Sequence, residues 1–287
     1  MSLLGFTLVL TAAFCHAGWN FLVKRLHAGP ELVWLFSVVT LAIYLPVAGW
    51  AVATAPPTQP LQWGFIAGST LVHLAYFLLI QHGYRVGDLS VVYPVARATG
   101  PLLATVFAIV LLGERPTVQG LIGAGVIVTG VFMLTGGAAT GLRARAASLG
   151  FGLATGVLIG SYTVWDAYAV ATLAVHPVLL DYASTAGRCL LLAPMAARRR
   201  AGVAALWRDH RAAVIAIAAL NPLAYILVLL ALRFTPITLV APLREVSVLI
   251  AVILGAVVLR EGTLRARLPW AAVIVLGVVM LATSRAG

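Results

Sequence analysis

The chain has 287 residues, of which 62% are hydrophobic and 9% charged. A soluble domain is about a quarter charged, so this composition excludes an ordinary soluble protein and indicates one embedded in lipid. The formal net charge of +11 would suggest nucleic-acid binding in a soluble chain. Here the basic residues lie mostly at the ends of apolar segments, so we expect them to contact lipid headgroups, with no nucleic-acid partner.

Apolar runs of about 20 residues predict transmembrane helices, because that length crosses the hydrocarbon core. Turn-forming stretches such as APPTQP (55–60) and GERPT (113–117) separate the runs. No basic region precedes the first run, so no cleavable signal peptide is expected. The expected fold class is an all-α polytopic membrane protein with ten spans: 3–22, 31–53, 62–82, 89–112, 117–136, 148–172, 177–197, 212–232, 236–259 and 268–284.

The basic residues predict the orientation of these spans. Of 19 basic residues, 13 lie in the connectors that follow the odd-numbered spans, and only three lie on the opposite side. By the positive-inside rule the first group of connectors is cytoplasmic, so both termini are expected outside. The expected location is the cell (inner) membrane. The remaining three, Arg97, Arg188 and Arg244, lie within spans.

An internal repeat divides the chain. VIVTGVFML (126–134) and VIVLGVVML (273–281) are identical at seven of nine positions. Upstream, LLGE (111–114) aligns with VLRE (258–261). We therefore predict two five-helix units, residues 1–136 and 148–287. Five is an odd number, so the two units would cross the membrane in opposite directions, an arrangement that recurs in transporters.

Several stretches resemble one known family. They are HAGWNFLVKR (16–25), GDLSVVYPVAR (87–97), GER (113–115) and APLREVS (241–247). Together with the duplicated unit, they resemble the EamA domain of the drug/metabolite transporter superfamily. The resemblance implies a ten-helix transporter of small metabolites with a central cavity between its halves. Members carry amino acids, nucleotide sugars, organic acids or drugs, so it implies no particular substrate. Such proteins are often drawn with cytoplasmic termini, whereas the arginine count here predicts the reverse.

Polar residues inside spans cost free energy and therefore need a partner, a wet cavity or a function. In the first span His16 and Asn20 share one helix face, and Tyr162 and Asp166 repeat that spacing of four in the sixth. These pairs predict a shared cavity. The alternatives are interhelical packing for His16 and an interfacial carboxylate for Asp166.

Other spans add further candidates. Asp181 and Arg188 lie two turns apart on one face of the seventh span, and Asn221 precedes a proline in the eighth. We interpret His73, a single histidine in the third span, as more typical of packing than of a proton relay.

The fourth and ninth spans contain charged residues at equivalent positions of the repeat, each following a proline. Arg97 follows Pro94 by three residues, and Glu245 follows Pro242 by three, so the repeat exchanges a positive charge for a negative one. One hypothesis is an Arg97–Glu245 ion pair that latches the two halves. The alternative is that Arg97 and Arg244 face the cavity and bind an anionic group. The two prolines are candidate hinges, or equally static kinks.

Some features have structural interpretations. Gly152, Gly156 and Gly160 predict close helix packing in the sixth span. Glu114 and Glu261 are interpreted as polar caps. The segment RRRAGVAALWRDHR (198–211) is expected to be an amphipathic cytoplasmic loop bound to lipid headgroups.

The predicted function is secondary active transport, by export or exchange, of a small polar metabolite such as an amino acid or organic anion. A non-transporting structural or lipid-handling membrane subunit is the alternative. No enzyme motif is present, and no cofactor or metal is expected. Protons are a candidate coupling ion, with Asp166, Glu245 and His16 as carriers. The expected assembly is a monomer or a weak homodimer. The substrate-binding candidates are His16, Asn20, Tyr93, Arg97, Tyr162, Asp166, Asp181, Arg188, Asn221, Arg244 and Glu245.

Overall fold

The computed structural model describes residues 1–26, 29–86, 89–134, 142–258 and 264–284. These residues form helices joined by short connectors, as the apolar runs predicted, with no strand among them. In chain order the helices are α1 (Leu3–Leu26), α2 (Pro30–Thr54), α3 (Pro60–Val86), α4 (Leu89–Leu112), α5 (Val118–Leu134), α6 (Leu142–Ala171), α7 (Pro177–Arg198), α8 (Arg200–Leu232), α9 (Ile237–Arg244), α10 (Val246–Val258) and α11 (Leu264–Thr283).

The chain is a multi-pass membrane protein. Six helices within the described ranges are long and apolar enough to cross a membrane, judged by length and composition. Two shorter apolar helical stretches, Val118–Met133 and Leu268–Thr283, accompany them. The backbone of each helix satisfies its own hydrogen bonds, which is the condition for crossing the hydrocarbon core.

The predicted span over 236–259 is interrupted close to Pro242, the candidate hinge or kink. This span is divided at Glu245 into α9 and α10. Pro242 has no N–H to donate to the preceding turn, and its ring crowds the carbonyl four residues earlier. The chain tightens instead: the Glu245 N–H donates to the carbonyl of Pro242 at 3.0 Å, and the Val248 N–H donates to the carbonyl of Glu245 at 2.9 Å. Ten predicted spans thus correspond to eleven helical segments.

The repeated sequences of α5 and α11 pack against each other reciprocally. A Cβ atom built on Gly130 would lie 2.6 Å from the Ile274 side chain. The repeat counterpart of Gly130 is Gly277, where a Cβ would lie 2.7 Å from Ile127, the counterpart of Ile274. A two-fold relation between halves generates contacts of this reciprocal kind. The opposite membrane orientation of the halves, and the domain bounds, remain predictions.

Other helix–helix contacts also occur twice, once for each of the two repeats. α1 packs along α8, and α6, the repeat counterpart of α1, packs along α3, the counterpart of α8. α2 packs along α7, which is its own counterpart. The core of the bundle is therefore built from contacts between the two predicted units as much as from contacts within them.

The most extensive helix contact joins α4 and α6. Each glycine of the predicted packing face meets an α4 residue: Gly152 lies against Val95, Gly156 against Thr99 and Gly160 against Leu103. This confirms the packing interpretation, because the absent side chains let the two backbones approach closely.

The basic segment at 198–211 is helical and forms the first part of α8. Its axis changes at His210, whose φ of −134° departs from helical geometry. Arg199 contacts Glu31 at the start of α2, with 3.1 Å between Nη1 and Oε2. Headgroup binding by this segment remains a prediction.

Candidate functional site

A cavity of about 320 Å³ lies in the middle of the helix bundle. Its walls come from α1 to α4 and α6 to α9, so both halves of the chain contribute. The residues of α1, α2 and α3 in its wall belong to the part of each helix nearest the α1–α2 connector. The cavity therefore extends from mid-bundle toward that end. Its polar wall residues are His16, Asn20, His73, Tyr76, Arg97, Tyr162, Asp181, Ser184, Thr185, Arg188, Asn221, Tyr225 and Arg244.

Arg97 of α4 connects the cavity to the broken helix. Its Nε lies 3.4 Å from Oε2 of Glu245, in the predicted pairing of the repeat-related charges. Its Nη2 lies 3.2 Å from Nε2 of His16 and donates to Oγ of Ser247 at 3.4 Å. The two hypotheses for Arg97 are thus compatible in space, because the side chain faces the cavity and pairs with Glu245 at once.

Arg244 is the last residue of α9 and also reaches the cavity wall. Its Nη2 donates to the hydroxyl of Tyr162 at 3.3 Å. Glu245 follows directly and is 1% exposed, so its carboxylate lies behind the wall between the two arginines. Because burial of an isolated carboxylate is costly, the neighbouring guanidinium groups stabilise it there.

Arg188 of α7 has neutral partners. Its Nε donates to Oγ of Ser37 at 3.1 Å and its Nη2 to Oγ1 of Thr185 at 3.4 Å. The guanidinium also lies over the ring of Phe36, 5.6 Å from its centroid. Asp181 lies in the same wall, two turns earlier on α7. One helix therefore presents a cation and an anion to the cavity.

Asp166 forms a buried hydrogen-bond network behind the cavity wall. The carboxylate is 0% exposed, and Oδ2 accepts a hydrogen bond from the hydroxyl of Tyr225. His73 Nε2 lies 3.7 Å from the same oxygen. His73 and Tyr225 line the cavity whereas Asp166 does not. Asp166 is therefore enclosed rather than interfacial, and His73 both lines the cavity and makes the hydrogen-bonded packing contacts that were expected of it.

Side-chain contacts join α3 and α6 at the opposite end of the bundle. Trp165 stacks on Phe65 with a centroid distance of 4.2 Å and donates its indole N–H to the Phe65 carbonyl at 2.9 Å. Nearby, the Gln62 amide donates to the carbonyl of Leu173 at 2.8 Å. These contacts join α3 to α6 and its following connector beyond the Asp166 network.

Glu114 adds a contact between the two halves of the chain at the same end of the bundle. Its carboxylate oxygens accept the backbone N–H groups of Ile237 at 2.7 Å and Thr238 at 3.0 Å. Two otherwise unpaired N–H groups at the start of α9 are thus satisfied from the other half of the chain. This confirms Glu114 as a polar cap, while Glu261 lies outside the described residues.

The structure brings most of the predicted site residues together. Asp166 and Glu245 lie behind the wall, and Pro242 is buried in α9 near its break. Tyr93 and Pro94 belong to α4, but their side chains lie outside the described part of the structure. Those lining the cavity are His16, Asn20, Arg97, Tyr162, Asp181, Arg188, Asn221 and Arg244.

Sequence reasoning left other wall residues out of the candidate site. Ser184 and Thr185 share the helix face of Asp181 and Arg188, and Tyr225 lies one turn after Asn221. Helical spacing was therefore a signal for these three. His73 hydrogen-bonds Ser69, one turn earlier on α3, but its contact with Asp166 comes from another helix and left no signal in the sequence.

The fold and the cavity define a multi-pass helical membrane protein. Residues 3–136 match the EamA-like transporter family. This match, to the domain of the drug/metabolite transporter superfamily, confirms the resemblance seen in the motifs.

No curated protein matches the chain. A protein of known crystal structure has the same fold, with a TM-score of 0.78 over 97% of this chain and 96% of its own. The two sequences are 17% identical, so this likeness concerns the fold alone.

Proposed function

We propose that the protein is a secondary active transporter that exports or exchanges a small polar metabolite, such as an amino acid or an organic anion. The observation that carries this proposal is the polar cavity, which extends from mid-bundle toward one end, while contacts such as Phe65–Trp165 join α3 and α6 at the other end. A binding site that reaches one side at a time is the requirement for alternating access.

The wall chemistry supports a charged or polar substrate. Arginine side chains inside a span are costly, at roughly 2.5–3.5 kcal/mol on insertion scales, and they mark functional pathways in membrane proteins. Three of them, Arg97, Arg188 and Arg244, face this cavity. A guanidinium binds carboxylate or phosphate oxygens through paired hydrogen bonds.

The arginine distribution assigns the cavity a side of the membrane. The cavity extends toward the end with the α1–α2 connector, which the positive-inside rule makes cytoplasmic. The proposed state is therefore inward-facing, loaded from the cytoplasm. In the outward-facing state of this proposal, each repeat adopts the conformation that the other repeat has in the present structure.

Protons are the proposed coupling ion. Asp166 is separated from the cavity by two groups that exchange protons or hydrogen bonds, His73 and Tyr225. Glu245 and His16 are further carriers beside Arg97. A proton gradient imposed on proteoliposomes should then drive substrate accumulation, and Asp166→Asn should weaken this driving force. The control is His82→Gln, which removes an exposed histidine of the same α3.

The transport experiment uses purified protein in liposomes loaded with pooled unlabelled amino acids or organic acids. Entry of the corresponding radiolabelled pool is measured against protein-free liposomes. We expect exchange with at least one pool, loss of exchange in Arg97→Ala, and retention in the surface variant Arg199→Gln. A folded protein that exchanges no pool would instead favour the alternative, a structural or lipid-handling subunit.

A further inference from the structure

We infer that the cavity binds a zwitterion whose anionic group contacts Arg188 and whose cationic group contacts Asp181. This inference deepens the proposed function, because it names the substrate class for the same cavity and assigns the two binding residues to one helix, α7.

The three cavity arginines differ in their partners. Arg97 is paired with Glu245 at 3.4 Å, and Arg244 precedes the same carboxylate in the chain and donates to a tyrosine hydroxyl. Arg188 instead donates to the hydroxyls of Ser37 and Thr185. Within the described ranges, no carboxylate lies at ion-pair distance from Arg188.

Neutral hydroxyls orient the Arg188 guanidinium, and the acid that acts on it electrostatically, Asp181, lies beyond ion-pair distance, so no direct ion pair compensates its charge. In a site shielded from water an uncompensated charge attracts an opposite one more strongly than it would in bulk solvent. The contact with Phe36 holds one face of the guanidinium plane, and its remaining N–H groups can bind the two oxygens of a carboxylate. Arg188 is therefore the cavity arginine that is prepared for an anion.

Asp181 is the matching anion. It lines the same cavity, and no basic side chain lies at ion-pair distance in the part of the chain that the structure describes. Desolvating a carboxylate beside a substrate is favourable only when the substrate supplies a cation or a donor. An ammonium group supplies both.

The spacing along α7 fits one extended ligand. Seven residues separate Asp181 from Arg188, a rise of about 10 Å at 1.5 Å per residue. Between them, Ser184 and Thr185 place hydroxyls on the same cavity wall. A compound with its two charges at opposite ends of a short chain can contact both side chains, while a purely anionic compound leaves Asp181 unpaired.

The test uses three probes with the same carbon chain: γ-aminobutyrate, butyrate and butylamine. Thermal stability of the purified full-length protein in detergent is measured against the concentration of each probe. A ligand that binds only the folded state raises Tm, so the curves report apparent affinity. We expect γ-aminobutyrate to stabilise the protein at lower concentration than either single-charge probe, by about tenfold or more, since a charge-assisted contact contributes at least that much.

Two variants test which charged group of the ligand contacts which residue. Arg188→Gln should weaken the response to γ-aminobutyrate and to butyrate alike. Asp181→Asn should abolish the preference, so that butyrate binds as well as γ-aminobutyrate. The matched controls remove the exposed pair Arg199–Glu31 one charge at a time, with Arg199→Gln and Glu31→Gln, and should respond like the parent protein.

Three results would overturn the inference: butyrate equal to γ-aminobutyrate in the parent protein, no response to any probe, or an unchanged response in Arg188→Gln. A folded Arg188→Gln or Asp181→Asn variant is recognised by a monodisperse elution profile and a cooperative melt without ligand. Failure here is distinguishable from failure of the proposed function, because exchange of an anionic or uncharged pool in liposomes would leave transport intact.

Discussion

Arg97 and Glu245 occupy equivalent positions in the two repeats and form an ion pair with a separation of 3.4 Å between Nε and Oε2. Both side chains are nearly enclosed, at 11% and 1% exposed. Arg97 lies in the continuous α4, and Glu245 lies at the break between α9 and α10. The pair therefore connects the two halves at the point where one of them loses its helical continuity.

Removing one partner of this pair should destabilise the protein strongly. In Glu245→Gln the Arg97 charge stays enclosed without its carboxylate, and breaking a buried pair costs about 3–5 kcal/mol. The double exchange Arg97→Glu with Glu245→Arg should recover part of that loss if the pair acts as a latch. Unfolding by denaturing detergent measures the free energies.

The exposed pair Arg199–Glu31 is the control for this experiment, since breaking it should cost only about 0–1 kcal/mol. If the exchanged protein is as stable as the parent but no longer responds to ligand, binding rather than latching is the role of Arg97. Equal stability of Glu245→Gln and the parent would contradict the latch outright.

The contact between α4 and α6 should be intolerant of a single added methyl group. A Cβ on Gly156 would lie 2.7 Å from the Thr99 Cβ and 3.2 Å from the Gly100 nitrogen, which belongs to the backbone and cannot rotate away. We expect Gly156→Ala to lower the free energy of unfolding by about 1–3 kcal/mol, as overpacking does elsewhere. Thermal unfolding in detergent measures the change.

Gly150 provides the matched control on the same helix. A Cβ there would meet nothing within 4 Å, so Gly150→Ala should leave stability unchanged or raise it slightly. Equal losses for the two substitutions would show that the close approach of α4 to Gly156 does not set the response.

Most of the fold could be predicted from the sequence because lipid imposes simple constraints. A chain in hydrocarbon must form helices of span length, so the apolar runs located most ends of the described helices to within a few residues. The main exception is α8, which begins at Arg200 whereas the predicted span begins at 212. The break at Glu245 could not be predicted in this way. Pro94 lies inside a continuous α4, while its counterpart Pro242 precedes a break, so proline alone does not decide between them.

The site was partly predictable for a related reason. Helical spacing places Asp181 and Arg188 on one face, and the repeat placed Arg97 opposite Glu245. Contacts between distant helices leave no such local pattern. His73 contacts Asp166 across a sequence separation that only the packing of α3 on α6 reveals, and burial of Asp166 depends on Tyr225 from a third helix.

The Glu114 cap should stabilise the start of α9 in proportion to the acceptors that remain. Glu114→Gln keeps one acceptor oxygen and Glu114→Ala keeps none, so the expected order of stability is parent, Gln variant, Ala variant. The loss for the Ala variant should be about 1–2 kcal/mol, as for other helix N-caps. Thermal unfolding in detergent gives the order.

Hydrogen exchange localises the Glu114 effect. Amides at the start of α9, above all those of Ile237 and Thr238, should exchange faster in Glu114→Ala than in the parent protein. Glu31→Ala serves as the control, because Glu31 contacts Arg199 rather than α9. Unchanged exchange at Ile237 and Thr238 would rule out the cap.

His176 should make stability depend on pH at the start of α7. Its Nδ1 accepts the Val178 N–H at 3.3 Å, and the side chain lies in a connector outside the spans. Burial, and secondarily the charge of Arg233, lower the pKa of His176 in the folded protein. The unfolded chain, with an ordinary histidine pKa of about 6.5, then binds more protons than the folded one as pH falls.

The stabilisation from neutral His176 is therefore complete above about pH 6.5 and is lost as the pH falls through the lowered folded pKa. His176→Asn keeps a capping acceptor and does not titrate. Melting curves recorded from about pH 8 to about pH 5 should show a larger fall in Tm for the parent than for His176→Asn. Every other histidine is shared by the two proteins, so their titration cancels in the difference. Parallel curves would mean that protonation of His176 does not oppose the cap.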